Sequence, residues 1–164
     1  MKIRGFGLDA IGVLLDRGLA CLDSGHVAGY VALLDVSCGG DVMATFKVNV
    51  CPANNARTLH ETSLDFARQL NACPNSSLSI HTGIVPIRGF VGVSAIRAGS
   101  MIFSFAGMPF TNHDAEALLV YVAFMANWIT EHNAFEIARV SENHKITKGL
   151  LAIRRAEPFL QISS

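Results

Sequence analysis

Two apolar runs joined by one short turn constrain this chain more than any other feature. Gly89 to Arg97 is apolar and partly β-branched, Ala98-Gly99-Ser100 supplies turn residues, and Met101 to Ala106 is apolar again, the pattern of an antiparallel hairpin. Both runs are apolar on nearly every residue rather than on alternate ones. Such a hairpin calls for cover on both faces, by helices, by another subunit or by both. The expectation is that the chain's own helices cover one face only and that a homo-oligomer interface uses this hairpin or the long helix that follows it, with Phe103 and Val120 as candidate interface positions.

Downstream, Gly107-Met108-Pro109-Phe110 is expected to end the second strand, and Thr111, three residues before Asp114, forms a relaxed capping box that starts a helix. Leu118, Leu119, Val122, Met125, Ala126 and Ile129 then recur at helical spacing, and Tyr121, Phe124 and Trp128 widen the stripe. The pattern predicts one helix between Thr111 and His132, the longest in the chain, buried over more than half its circumference.

Upstream, Leu8, Ile11, Leu14, Leu15, Leu19 and Leu22 predict a first helix closed by Ser24-Gly25. Val27 to Val36 reads as a central strand, and Ser37 to Asp41 as a turn. Val42 to Val50 alternates, with Val42, Ala44, Phe46, Val48 and Val50 on one face. Pro52 stops that strand, Asn54 or Asn55 caps a helix over 56–70, and Leu78 to His81 suits a short strand. Beyond Asn133, Ala134 to Val140 fits a strand or a helix and Ile146 to Arg155 a helix, so 134–164 reads as a C-terminal extension without an assigned structure. The order predicts a single α+β domain over 1–164, an antiparallel sheet of about five strands with helices packed on it, a sandwich of the profilin-like or PAS-like kind. A Rossmann arrangement is excluded, because the strands arrive as hairpins and no Gly-rich turn joins a strand to a helix.

Charge narrows the partners. Lys plus Arg and Asp plus Glu both number 13, so nothing attracts a phosphate backbone and nucleic acid is not expected. Charged residues are 16% of the chain, against about 25% in an ordinary soluble domain, which favours a homo-oligomer. Ala117 to Thr130 falls short of the roughly 20 apolar residues that span a bilayer, so no membrane partner is expected. Leu19-Ala20-Cys21 faintly resembles a lipoprotein cleavage site, but Asp9, Asp16 and Arg17 interrupt the would-be signal core. Cys21, Cys38, Cys51 and Cys73 have no CxxC spacing, which leaves no zinc or redox motif and suits a cytoplasmic chain with reduced thiols.

Val31-Ala32-Leu33-Leu34-Asp35 with Gly39-Gly40, then Gly83-Ile84-Val85-Pro86-Ile87, then Ser104-Phe105-Ala106-Gly107-Met108-Pro109 with Asp114, lie in the order of conserved segments that these residues resemble. Over roughly Leu8 to Ala126 the chain resembles the GlcG/HbpS-like proteins, haem-binding or haem-degrading domains that also occur beside corrinoid adenosyltransferases. Thr82 stands where that family usually has a second glycine, and the hairpin after Pro86 is longer. The resemblance implies a profilin-like sandwich, commonly oligomeric, that binds haem or another small organic ligand.

His81, His113 and His60 are the candidate cofactor-binding histidines, since a neutral imidazole can ligate iron, although no two lie three or four residues apart. His81 is the first choice because it precedes the glycine-proline turn. Arg57 is the candidate partner for a carboxylate, against the alternative of a solvated helix face. His113-Asp114 is readable as an acid/base pair, but capping by Asp114 is the favoured reading. No nucleophile elbow surrounds Ser63, Ser94 or Ser104. The sequence therefore points to a small-ligand-binding domain with haem or a related tetrapyrrole as first ligand. The alternatives are an enzyme using His113 or His81 as base on a small carbonyl or hydroxy acid, and a structural assembly module.

Overall fold

The structure, a computed structural model, describes residues 2–3, 6–22, 26–38, 41–49, 53–72, 79–80, 92–108 and 110–153. In chain order these form β1 (Lys2–Ile3), β2 (Phe6–Gly7), α1 (Leu8–Leu22), β3 (Ala28–Asp35), a short 3-10 turn (Val36–Cys38) and β4 (Asp41–Val48). Then come α2 (Ala53–Ala72), β5 (Ser79–Ile80), β6 (Gly92–Ala98), β7 (Met101–Met108), α3 (Asn112–Met125), α4 (Glu131–Val140) and α5 (His144–Ala152). β1 and β2 make a small ribbon, and the other five strands make one open sheet in the order β4-β3-β7-β6-β5, antiparallel at every pairing. The α+β class and the five-stranded sheet expected from sequence are both present.

Alternate residues of the central strands enter two separate cores. Val31, Leu33, Phe103, Phe105 and Ile96 face α1 and α3, while Ala32, Leu34, Ile102, Ala106, Val93 and Ala95 face α2. Every one of these side chains is at most 1% exposed, and each Val, Leu, Ile or Phe among them contributes about 1.5–3 kcal/mol by leaving water. This corrects the expectation of one covered face: the hairpin is apolar throughout because helices of the same chain lie on both sides of it. Phe103 and Val120 are completely buried within the subunit and belong to no shared surface. Ser104 points to the α2 side, where its hydroxyl donates to the Ser63 carbonyl at 2.6 Å and is thereby satisfied in an apolar setting.

Three further expectations are modified. Strand β7 continues through Gly107 to Met108 instead of stopping at Ala106, because both residues still pair with β3. In β4 the register shifts at Met43, so Ala44 lies opposite Leu33 but Val42 opposite Leu34. The extra residue is a β-bulge. It carries Val42 onto the α2 side of the sheet, away from Ala44, Phe46 and Val48, and leaves it 45% exposed.

The third change concerns the long C-terminal helix. It starts as the sequence indicated: the Thr111 hydroxyl accepts from the Asp114 N–H at 3.1 Å, and an Asp114 carboxylate oxygen accepts from the Thr111 N–H at 3.0 Å. α3 then stops at Met125, and α2, with 20 residues, is the longest described helix. Asn127 adopts the left-handed conformation (φ 59°), which turns the chain so that Trp128 meets Phe103 edge-on at 5.6 Å between ring centroids. Trp128 and Ile129 are thus core residues of a turn. Thr130 caps a new helix, accepting from the Asn133 N–H at 3.1 Å, and the segment 134–140 is helical. α3 is buried on all sides because the sheet lies beneath it and α1, α4 and α5 pack around it. Residues 81–91, with the glycine-proline segment, and Arg155 lie outside the described residues.

Candidate functional site

His81 lies outside the described residues. Arg57 projects from α2 with its side chain 87% exposed and donates to Glu61, one turn on, at 3.0 Å, the solvated-face arrangement. His60, half-buried on the same helix, rests its ring against Tyr30 of β3 with centroids 5.1 Å apart. His113 is exposed on the first turn of α3, on the opposite side of the sheet, and its carbonyl accepts from the Asn143 amide at 2.9 Å. The structure brings Arg57 and His60 onto one helix and leaves His113 apart from them. Among the described residues no three His, Cys, Asp or Glu side chains cluster as a metal site.

A polar anchor lies at the start of α3. Glu116 is fully buried, and its carboxylate accepts from Ser141 Oγ at 2.8 Å and Asn143 Nδ2 at 3.1 Å. Asn143 also caps α5, accepting from the Lys145 N–H at 3.2 Å. One buried carboxylate therefore fixes the turn between α4 and α5, where Glu142 is left-handed (φ 52°), and so fixes where α5 lies. Two more contacts pin the first turn of α5: the Lys145 ammonium pairs with Asp114, and the Tyr121 hydroxyl donates to the Lys145 carbonyl. Burial works against the Asp114 charge, but hydrogen bonds from Lys145 and Thr111 outweigh it, and the carboxyl is held below its ordinary range. Asp114 is thus committed to the cap and to Lys145, as the capping reading anticipated.

This anchoring leaves a groove between α1 and α5 with Tyr121 as its floor. Cys21 and Leu22 from α1 face Lys145, Lys148 and Gly149 from α5 across a hollow of about 330 Å³. Past Cys21 and Ala152 lies a second hollow of about 350 Å³, lined also by Arg17, Met125 and Ile153. α5 comes this close because residue 149 has no side chain: a Cβ there would lie 2.2 Å from the Tyr121 hydroxyl oxygen. Tyr121 is 1% exposed, and burial, then the neighbouring Cys21 and Asp114, pushes its phenol up to about 12. Its proton stays on and is engaged by the Lys145 carbonyl.

The electrostatics of the groove are one-sided. Among the described residues its lining holds Lys145, Lys148 and Arg17 and no carboxylate. Lys145 is compensated by Asp114, whereas Lys148 and Arg17 make no ion pair among the described residues. An apolar floor under uncompensated cations suits an organic anion. The other hollows are less selective: between α4 and α5, Arg139 is already paired with Glu136, and between α1 and β4, Asp9 and Asp16 stand beside Lys47. Volumes near 330 Å³ fall at the lower end of the range for small-molecule sites, about 300–1,000 Å³.

Sequence reasoning assigned Tyr121 to the core or a subunit interface, left Cys21 among the reduced thiols and gave Lys145 and Lys148 no role. The available signal was the spacing of the two lysines, three apart and so on one side of a helix. No protein-family model, no curated protein and no solved structure matches this chain.

Proposed function

We propose that this protein is a small-ligand-binding domain that seats an amphipathic organic anion in the groove between α1 and α5. The observation that carries the reading is the pairing of a buried aromatic floor, Tyr121, with Lys148 and Arg17, cations that the described residues leave uncompensated. Binding is favoured over catalysis by His113, because Asp114 is engaged by Thr111 and Lys145. A tetrapyrrole carboxylate is the first ligand to try. Haem in this groove would have Cys21 as iron ligand, bound as thiolate with its proton released to solvent, since the Tyr121 hydroxyl is tied to the Lys145 carbonyl, and Lys148 or Arg17 for its propionates. Iron would supply redox and ligand-exchange chemistry there. Titration with hemin, followed in the Soret band, is expected to saturate at micromolar protein and to weaken in Lys148→Glu. The absence of a saturable shift removes haem, and a flat thermal-shift response to a panel of organic acids removes the wider reading.

The proposal extends to a cytoplasmic homo-oligomer. With the hairpin covered internally, self-association is supported by the low charge content and by the outer edge of β4, which no described strand pairs. Light scattering coupled to size exclusion tests it, and a monodisperse mass of 17.6 kDa rules it out.

A further inference from the structure

We infer that two copies of this chain associate through α1, packed antiparallel across a two-fold axis at Val13, an inference that rests on the homo-oligomer reading and names its surface. Ile11, Leu14, Leu15 and Gly18 turn one face of α1 into the core. The opposite face carries Asp9, Val13 and Arg17, spaced four apart and all exposed. They lie on one i±4 row, the kind of ridge that interdigitates in the commonest class of helix packing. At the centre of the row Val13 is 40% exposed, one of four large apolar side chains left so among the described residues. Beside it Gly12 leaves a notch, since a Cβ there would meet no atom within 4 Å.

Charge fixes the occupant and its direction. Asp9 and Arg17 sit one turn to either side of Val13, and neither makes an ion pair among the described residues. Two such rows meeting antiparallel at Val13 set Asp9 of each copy against Arg17 of the other, two ion pairs around one apolar contact. Run parallel, the rows oppose like charges at both ends. A row that is its own complement in one orientation fits a second copy of this chain. Asp16, next to the row, adds an acid that Lys47 offsets from the same hollow between α1 and β4. Gly12 and Val13 line that hollow too, so the row stands beside β4, whose outer edge no described strand pairs, and the two surfaces are continuous. Arg17 is compensated across this interface, and Lys148 remains the groove's own cation.

Size exclusion coupled to light scattering, on the full chain at micromolar concentration and low salt, tests the inference. The unaltered protein is expected at twice 17.6 kDa, and Val13→Arg, which sets two cations on the axis, at the monomer mass. Asp9→Arg and Arg17→Asp should each weaken association about tenfold or more, since two ion pairs become two like-charge contacts, and the double reversal should restore it. All three positions are exposed, so circular dichroism should stay native in every variant. Asp9→Arg also removes the acid from the first turn of α1, a loss that Arg17→Asp cannot repair, so restoration reports the pairing across copies. An oligomer that persists in Val13→Arg, or a double reversal no better than either single variant, overturns this interface while the homo-oligomer reading stands. A monomer for the unaltered protein overturns both.

Discussion

Replacing Gly149 by alanine should destabilise the protein although it improves a helix. Glycine inside a helix costs about 1 kcal/mol relative to alanine, so an unconstrained Gly149→Ala would stabilise by that amount. Here the new Cβ would lie 2.2, 2.3 and 2.4 Å from Oη, Cζ and Cε1 of Tyr121, an aromatic ring held by its hydrogen bond to the Lys145 carbonyl. Overpacking against rigid groups costs about 1–3 kcal/mol, and contacts this short on three atoms belong at the upper end, giving a net loss of about 2 kcal/mol. For a chain of this size the midpoint should fall by about 4–8 °C. Thermal and urea unfolding followed by circular dichroism measure it. Tyr121→Leu, which lacks all three atoms, supplies the control: in that background Gly149→Ala should stabilise by about 1 kcal/mol, a coupling of about 3 kcal/mol. A neutral or stabilising Gly149→Ala in the unaltered protein would refute the close approach of α5 to Tyr121.

Asp114 has its carboxyl held below the ordinary range, so its contribution to stability is present above the unfolded-state value of about 3.9 and disappears as pH falls through the lower folded-state value. The difference in unfolding free energy between the unaltered protein and Asp114→Asn should accordingly be constant near neutrality and shrink only in the acid limb, while Thr111→Ala should cost about 1 kcal/mol by removing the cap. Tyr121 behaves in the opposite sense: its raised value favours the protonated folded form, so its contribution is complete below about pH 10 and is lost as pH rises through about 12. With two tyrosines in the chain, absorbance titration should show one late phenolate step, which Tyr121→Phe abolishes. Phe103→Glu puts a charge into the core between the sheet and α3, so unfolding or aggregation, and no soluble monomer with native circular dichroism, is the expected result.

The sequence carried the parts of the fold that depend on near neighbours. The helix Leu8–Leu22 was legible because leucine spacing acts within a few residues, although the expected Ser24-Gly25 close lies outside the described residues, and the capping box at Thr111 and Asp114 was readable for the same reason. The end of α3 was hidden, since Trp128 and Ile129 are as apolar as the helix before them and only the left-handed Asn127 and the packing of Trp128 on Phe103 show that the chain has turned. The bulge at Met43 was equally hidden, because a strand's alternation does not record an extra residue. The groove was least legible of all. Its walls come from Cys21, Tyr121 and Lys148, and their meeting depends on a buried glutamate and a side-chain-free position in α5.

The turn between α4 and α5 is tied to α3 chiefly through hydrogen bonds converging on Glu116, and α5 is one wall of the groove. If the groove takes a ligand as proposed, its occupancy and local opening of that wall form a single linked equilibrium. Whatever loosens Asn143 from Glu116 lowers apparent affinity by the fraction of molecules in which α5 is undocked. Amide hydrogen exchange along α5 becomes a meter of occupancy: if its amides exchange through undocking, a ligand at a hundred times its dissociation constant should slow them about a hundredfold while leaving the sheet unaffected.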